Sequence, residues 1–297
     1  MDRRQLLTAV GLAGVGMTLA RTASAQISRA PAASSDDGAA RWPTSIYASK
    51  ADPRFSWCIY VPPSFAKDPK AHPLAVLVHG SGRNQWEYRA AFQDFARFNK
   101  YVLLAPLFPA NVLGDGNADG YKYMREGDIR YDRVLLNIVA EVSATLGHDF
   151  GKFALFGYSG GGHFAHRFLY LQPDKLRAVS IGAPGGITLI DSTTDYWAGT
   201  KNFSDIFGQS IDVAAIRRVP IQIVVGANDV EEFTYPGGSE VAAIHARLGK
   251  NRFERSMTLL KNYQSLGFDV RREVVANCAH DGLKAVPTAQ DFFLRTL

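Results

Sequence analysis

Phe153-Ala154-Leu155-Phe156-Gly157-Tyr158-Ser159-Gly160-Gly161-Gly162-His163-Phe164 is the stretch on which the reading turns. Four apolar residues run into a glycine, a serine stands two residues later, and a helical pattern follows over 161–171. Strand, tight turn and helix with serine at the apex is the context that a Gly-x-Ser-x-Gly nucleophile turn requires. The turn must be sharp enough for the hydroxyl to project above the sheet. Residues two before and two after the serine must then be tiny, and both are glycine here. The helix that begins behind the serine directs its positive dipole end at any negative charge developing there. A glycine-rich chain can hold such a pentapeptide by chance; the strand before it and the helix after it select the functional reading.

Outward from this turn, short apolar runs ended by Gly or Pro recur at 55–61, 74–78, 101–107, 178–181 and 221–225, and 270–275, with valines at both ends, reads as the last strand. Runs of this length and composition suit strands buried on both faces. Helical patterns lie between them at 88–98, 131–146, 252–266 and 284–297, and the apolar stripe of 131–146 is Val134, Leu135, Ile138, Val139, Val142 and Leu146. The alternation predicts an α/β chain with a mostly parallel central sheet and helices on both faces, forming one catalytic domain over 51–297. The segment 187–214 breaks the rhythm and contains Tyr196, Trp197, Phe203 and Phe207. Two readings stay open for it: a lid over the site, or an aromatic loop packed on the core.

A serine hydroxyl is a weak nucleophile near neutral pH and needs a base, which in turn needs an orienting group. Among seven histidines, His280 follows the last strand in Cys278-Ala279-His280-Asp281-Gly282, a loop that returns to the sheet edge carrying the serine. His79 reads as a loop-shaping residue. His163 and His166 have a metal-like spacing without a third ligand and read as buried helix residues. Asp229, in Gly226-Ala227-Asn228-Asp229 just beyond a strand, is the candidate acid, with Asp191, Glu231 and Glu232 as rivals. The order Ser159, Asp229, His280 is the chain order such triads take when the serine stands in a strand-to-helix turn.

Acyl transfer builds charge on a carbonyl oxygen, and two N–H groups must meet it. Gly160 is one candidate donor. The other is Ser81, in His79-Gly80-Ser81-Gly82-Arg83 after an earlier strand. Arg83, Trp86 and Tyr158 are candidate substrate contacts; Arg83 would attract a carboxylate or else only cover the surface. Asp115-Gly116-Asn117-Ala118-Asp119-Gly120 with Glu126 matches the EF-hand calcium string. Its flanks argue against that use, because 109–114 is turn-like and Lys122 stands where an apolar residue is usual. A solvated loop without metal is expected.

Residues 1–25 read as a signal peptide: Arg3-Arg4, an apolar run over 6–20, and Ala23-Ser24-Ala25 as the cleavage site. The paired arginines resemble a twin-arginine export signal, although Asp2 precedes them and Leu6 stands where Phe is common. Residues 26–50 read as a leader, and the mature protein is expected in the periplasm or secreted. The net charge is +5, of which Arg3, Arg4, Arg21 and Asp2 carry +2, leaving +3 on the remainder. Basic residues are dispersed, so nucleic acid is not an expected partner, whereas an anionic substrate is compatible with the charge. Once the signal is removed, no run approaches the ~20 apolar residues of a membrane span. Cys58 and Cys278 fall near opposite edges of the expected sheet, too far apart to bridge, and are expected free and buried.

From about Phe55 onward the chain resembles the α/β-hydrolase superfamily, and within it the secreted serine hydrolases similar to polyhydroxybutyrate depolymerases, feruloyl esterases and bacterial poly(aspartic acid) hydrolases. The resemblance rests on His79-Gly80-Ser81-Gly82, Gly157-Tyr158-Ser159-Gly160-Gly161, Gly226-Ala227-Asn228-Asp229 and His280-Asp281-Gly282. It implies an esterase, depolymerase or amidase that needs no cofactor, acting on a small-molecule or polymer substrate. An amide hydrolase of an anionic polymer, an exopeptidase-like hydrolase and a non-catalytic binding protein on the same fold are the alternatives. No polymer-binding module is recognisable at the C-terminus.

Overall fold

The computed structural model describes residues 45–233 and 238–296. The expected signal peptide and most of the expected leader lie outside the described residues. The strands are β1 (Ile46–Ala48), β2 (Ser56–Tyr60), β3 (Leu74–Val78), β4 (Val102–Leu107), β5 (Arg125–Glu126), β6 (Ile129–Arg130), β7 (Phe153–Tyr158), β8 (Leu176–Gly182), β9 (Ile221–Gly226) and β10 (Val270–Val275). The helices are α1 (Gln85–Ala91), α2 (Gln93–Asn99), α3 (Tyr131–Leu146), α4 (Gly160–Leu171), α5 (Phe203–Phe207), α6 (Val213–Ile216), α7 (Ser239–Leu248), α8 (Arg252–Ser265) and α9 (Gly282–Thr296).

Eight strands form one sheet in the order β1-β2-β4-β3-β7-β8-β9-β10, and β5 and β6 make a separate small hairpin. β2 is antiparallel to β1 and β4; every pair from β4 across to β10 is parallel. Side chains alternate across the sheet, as pleating demands. Leu74, Val76 and Val78 face a core shared with α3, α4 and α8, whereas Ala75 and Leu77 face one shared with α1, α2 and α9. Burial on both faces explains why these strands are nearly pure apolar runs in the sequence.

The chain leaves β3 toward β4 on one side and comes back as β7 on the other. Loops leaving the carboxyl ends of β3 and β7 therefore diverge, and an open parallel sheet has its ligand crevice at such a switch point. The loop after β3 carries His79 to Arg83, and the turn after β7 carries Ser159.

Four expectations change. The helix expected at 88–98 is two helices, α1 and α2, which break at Phe92. The sheet begins inside the expected leader, since Ile46 to Ala48 pair with Cys58 to Ser56. Cys278 lies in the loop after β10 rather than on a strand, and both cysteines are free and buried. The segment 187–214 is packed on the core: Phe203 and Phe207 of α5 are buried, Tyr170 Oη donates to Thr188 O at 2.7 Å, and Tyr196 Oη donates to Tyr123 O at 2.6 Å. Among the described residues, no helix is long and apolar enough to cross a membrane.

Candidate active site

Ser159 takes φ 57°, ψ −115°, a region closed to most side chains. Close approach of backbones forces the glycines around it. A Cβ on Gly157 would lie 2.1 Å from Gly161 O, one on Gly161 2.2 Å from Val78 O, and one on Gly162 2.2 Å from Gly182 O. The bent serine is pinned by its own N–H, which donates to Gly182 O at 2.8 Å. α4 therefore begins directly against β3 and β8, and Ser159 stands partly exposed above the sheet.

The loops after β9 and β10 are tied together by backbone bonds from Ala227 N to Val275 O (2.9 Å) and Asn228 N to Cys278 O (2.8 Å). Gly226 allows this contact, since a Cβ there would meet Ala279 O at 2.3 Å. Asp229 and His280 are thereby adjacent. Asp229 Oδ2 is 2.7 Å from His280 Nδ1, and His280 Nε2 is 2.9 Å from Ser159 Oγ. Neutral imidazole with its proton on Nδ1 donates to the carboxylate and presents the Nε2 lone pair to the serine. Two of the rivals for the acid are engaged elsewhere, Asp191 with Thr193, Thr194 and Arg247 and Glu232 with Lys250, and it is Asp229 that meets His280.

Asp229 is buried, and a buried carboxylate is costly unless each oxygen has a partner. Its Oδ1 faces Arg252 Nη1 at 3.4 Å, and the Arg252 guanidinium lies 4.4 Å over the Phe233 ring. Arg252 is the first residue of α8 and belongs to no motif, so nothing local in the sequence marks it.

Gly160 opens α4, so its N–H is among the first amides of the helix and has no intrahelical acceptor. Ser81 is the second residue of a turn closed by Arg83 N to Gly80 O at 3.1 Å, which leaves the Ser81 N–H unused by that turn. His79 fixes the same loop: Nδ1 bonds Gly80 O at 2.7 Å, and Nε2 accepts from Phe108 N at 3.0 Å. Burial lowers the His79 pKa to about 4, which keeps it neutral in this bridging role.

The expected substrate contacts divide. Trp86 is exposed at the start of α1. Tyr158 is buried, with its ring 5.3 Å from the His280 ring and against Gly182 and Gly282, so it supports the site from below. A side chain one place before a serine at such an apex points back into the sheet, because neighbouring residues on a strand face opposite ways. Arg83 donates to three backbone carbonyls: Phe108 O (3.1 Å), Ser81 O (2.8 Å) and Ala118 O (2.7 Å). It braces three loops around the crevice.

The calcium-like string is built into this surround. Glu126 is buried, with Tyr131 Oη donating to one oxygen and Asn117 Nδ2 to the other at 2.9 Å; Lys122 Nζ pairs with Asp119 at 2.5 Å. The string is thus anchored to the core through Glu126, where a wholly solvated loop was expected. His163 and His166 also have protein partners. His163 Nε2 accepts from Gly186 N at 2.8 Å; His166 Nε2 accepts from Thr188 N at 3.1 Å, and its Nδ1 bonds Gly162 O at 2.8 Å.

No protein family and no curated protein matches the chain at the level of sequence. Solved structures do. The poly(3-hydroxybutyrate) depolymerase of Bordetella parapertussis is similar with a TM-score of 0.66 at 22% identity, over 81% of this chain and 85% of that one. Poly(aspartic acid) hydrolase-1 of Sphingomonas sp. KT-1 is similar with a TM-score of 0.65 at 20% identity, over 80% of this chain and 92% of that one. The chain has the α/β-hydrolase fold. A ferulic acid esterase shares it with a TM-score of 0.57 at 15% identity, over 85% of this chain and 97% of that one. Within the α/β-hydrolase fold, the crevice between β3 and β7 is where Ser159, His280 and the loop of Ser81 converge.

Proposed function

We propose that the chain is an exported serine hydrolase that cleaves ester or amide bonds of an oligomeric or polymeric substrate, acting in the periplasm or outside the cell. The observation that carries the proposal is His280, bonded at once to Ser159 Oγ at 2.9 Å and to Asp229 at 2.7 Å. His280 Nε2 takes the Ser159 proton as Oγ attacks the carbonyl carbon. The carbonyl electron pair moves onto oxygen, where the Gly160 and Ser81 N–H groups hold it, each contributing about 3 kcal/mol to the transition state. Asp229 keeps the imidazole proton on Nδ1 and stabilises the imidazolium. His280 then protonates the departing alcohol or amine, and water clears the acyl group by the same steps in reverse order.

Two features support a polymer. The His280 side chain is 30% exposed, so the reacting centre is open from above. Trp86 at the start of α1, Val230 beside Asp229 and Leu283 at the start of α9 are exposed apolar residues close in sequence to Ser81, Asp229 and His280. An extended chain can lie across such a surface, and proteins of similar structure include a polyester depolymerase and a poly(aspartic acid) hydrolase. The second of these, with the net charge of +3 outside the first 25 residues, supports an anionic amide polymer as the second reading.

The test is labelling of the mature protein by a serine-directed fluorophosphonate, followed by a panel of short acyl esters, polyhydroxybutyrate, feruloyl esters and polyaspartate at low and high salt. Ser159→Ala should abolish labelling and lower turnover at least about 10⁴-fold. Full activity in that variant would remove Ser159 from the reaction. Turnover of polyaspartate alone, lost at high salt, would select the anionic reading.

A further inference from the structure

The turn Gly120–Tyr123 packs against the start of α4, and Tyr121 is the residue that reaches the elbow. A Cβ on Gly160 would lie 2.1 Å from Tyr121 Oη, so the phenol oxygen already touches the residue whose amide follows the nucleophile. The same hydroxyl meets the other loop of the crevice, donating to His79 O at 3.4 Å two residues before Ser81. It therefore stands between Gly160 and the loop that carries Ser81, the sources of the two candidate oxyanion donors.

The ring cannot swing. Tyr121 is 1% exposed, stacked on Phe108 with centroids 5.7 Å apart, set against the His79 ring at 5.0 Å, and covered by the Arg83 guanidinium at 5.7 Å. Its proton, in contrast, is weakly held. A donor–acceptor distance of 3.4 Å is long for an O–H···O bond, whose usual length is about 2.7–2.8 Å. Burial pushes the phenol pKa well above its ordinary value, so the group remains a neutral donor throughout the range in which an ester hydrolase works. The neighbouring ammonium of Lys122 is engaged by Asp119.

We propose that the Tyr121 hydroxyl is a third donor to the oxyanion, beside the N–H groups of Gly160 and Ser81. The proposal rests on the Ser159 reading above. In the free protein the hydroxyl points its hydrogen at His79 O. When Ser159 Oγ bonds the carbonyl carbon and the electron pair moves to oxygen, the hydrogen turns from His79 O to that oxygen and forms a shorter, charge-assisted bond. No proton leaves Tyr121; the proton that moves is that of Ser159, which goes to His280. The interaction exists only once the charge has formed, so it accelerates the chemical step without tightening substrate binding. It also explains the glycine at 160, because any side chain there would occupy the place of the hydroxyl.

The test is Tyr121→Phe, which keeps the ring and its packing. Removal of an oxyanion donor lowers kcat by roughly 10²–10³-fold in such enzymes. The expected result is a kcat loss of at least tenfold on an activated ester, KM within about twofold, an unchanged Tm, and a loss of affinity for an alkylboronic acid (a tetrahedral adduct former) matching the loss in kcat. Stoichiometric fluorophosphonate labelling of Tyr121→Phe, at a lower rate, shows the nucleophile intact. An unchanged kcat, an unchanged boronate affinity, or a kcat loss accompanied by a matching fall in Tm would overturn the proposal. Failure of the underlying reading is read separately, from activity or labelling that survives Ser159→Ala.

Discussion

Arg83 shows how a charged residue near a crevice can serve the protein rather than the ligand. Its guanidinium donates to carbonyls of the β3 loop, the end of β4 and the 115–120 loop. Hydrogen bonds from a charged donor contribute about 1.5–3 kcal/mol each when well formed, less where water competes, and Arg83 is partly exposed. Arg83→Met should therefore cost about 1–3 kcal/mol of stability and lower kcat by loosening the Ser81 loop. The loss should be equal on neutral and anionic esters and insensitive to salt. Steady-state kinetics on a matched pair of such esters decides: a loss confined to the anionic ester at low salt would return Arg83 to the role of a substrate contact. Arg252 is the complementary case, a cation whose partner is the buried acid Asp229 itself.

At the scale of elements, the elbow depends on α4 starting against the ends of β3 and β8. The atoms that a Cβ on Gly161 would strike are Val78 O at 2.2 Å and His79 O at 2.9 Å, both main chain at the central strand. Neither can yield without breaking the β3–β7 pairing. Gly161→Ala should cost about 3 kcal/mol or more, at the upper end of what overpacking exacts. Denaturant midpoints with an unchanged m-value would report it, and a variant as stable as the parent would show that the helix can slide. The same helix anchors the start of the segment 187–214 at Thr188, which is bonded by His166, Arg167 and Tyr170.

Across the whole molecule, buried histidines contribute to the response to acid, and three of them lie beside the site. His79 has its pKa lowered to about 4, and those of His163 and His166 are lowered well below the ordinary value, in each case chiefly by burial. The unfolded chain binds these protons near pH 6.5 and the folded protein does not until much lower pH. Stability is thus level above about pH 6.5 and falls as pH drops from there toward 4, by up to roughly 1.4 kcal/mol per pH unit for each histidine. Chemical denaturation at pH 7.5, 6 and 5 measures the slope. Equal midpoints at pH 7.5 and 5 would mean that these imidazoles are charged in the fold. A His166→Phe variant tests one contributor, though it also removes the acceptor for Thr188 N.

What the sequence determined by itself was local or periodic. Apolar runs of strand length at 74–78 and 221–225, the stripe of 131–146, and the glycines flanking Ser159 each follow from sterics or side-chain spacing within a few residues, and they agree with β3, β9, α3 and the elbow. The order of Ser159, Asp229 and His280 was legible because the carboxyl ends of parallel strands share one edge. The short helices α5 and α6 were not legible, since they are stabilised by tertiary packing of Phe203, Phe207 and Ile216 rather than by their own periodicity. Tertiary structure alone decided which face each remaining polar group took. It turned Tyr158 inward, engaged Arg83 with three carbonyls, set Arg252 against Asp229, and brought Tyr121 to Gly160 from a turn that read as a calcium loop. These contacts join residues far apart in the chain, and their partners are mostly backbone atoms, which carry no residue identity for a sequence to display.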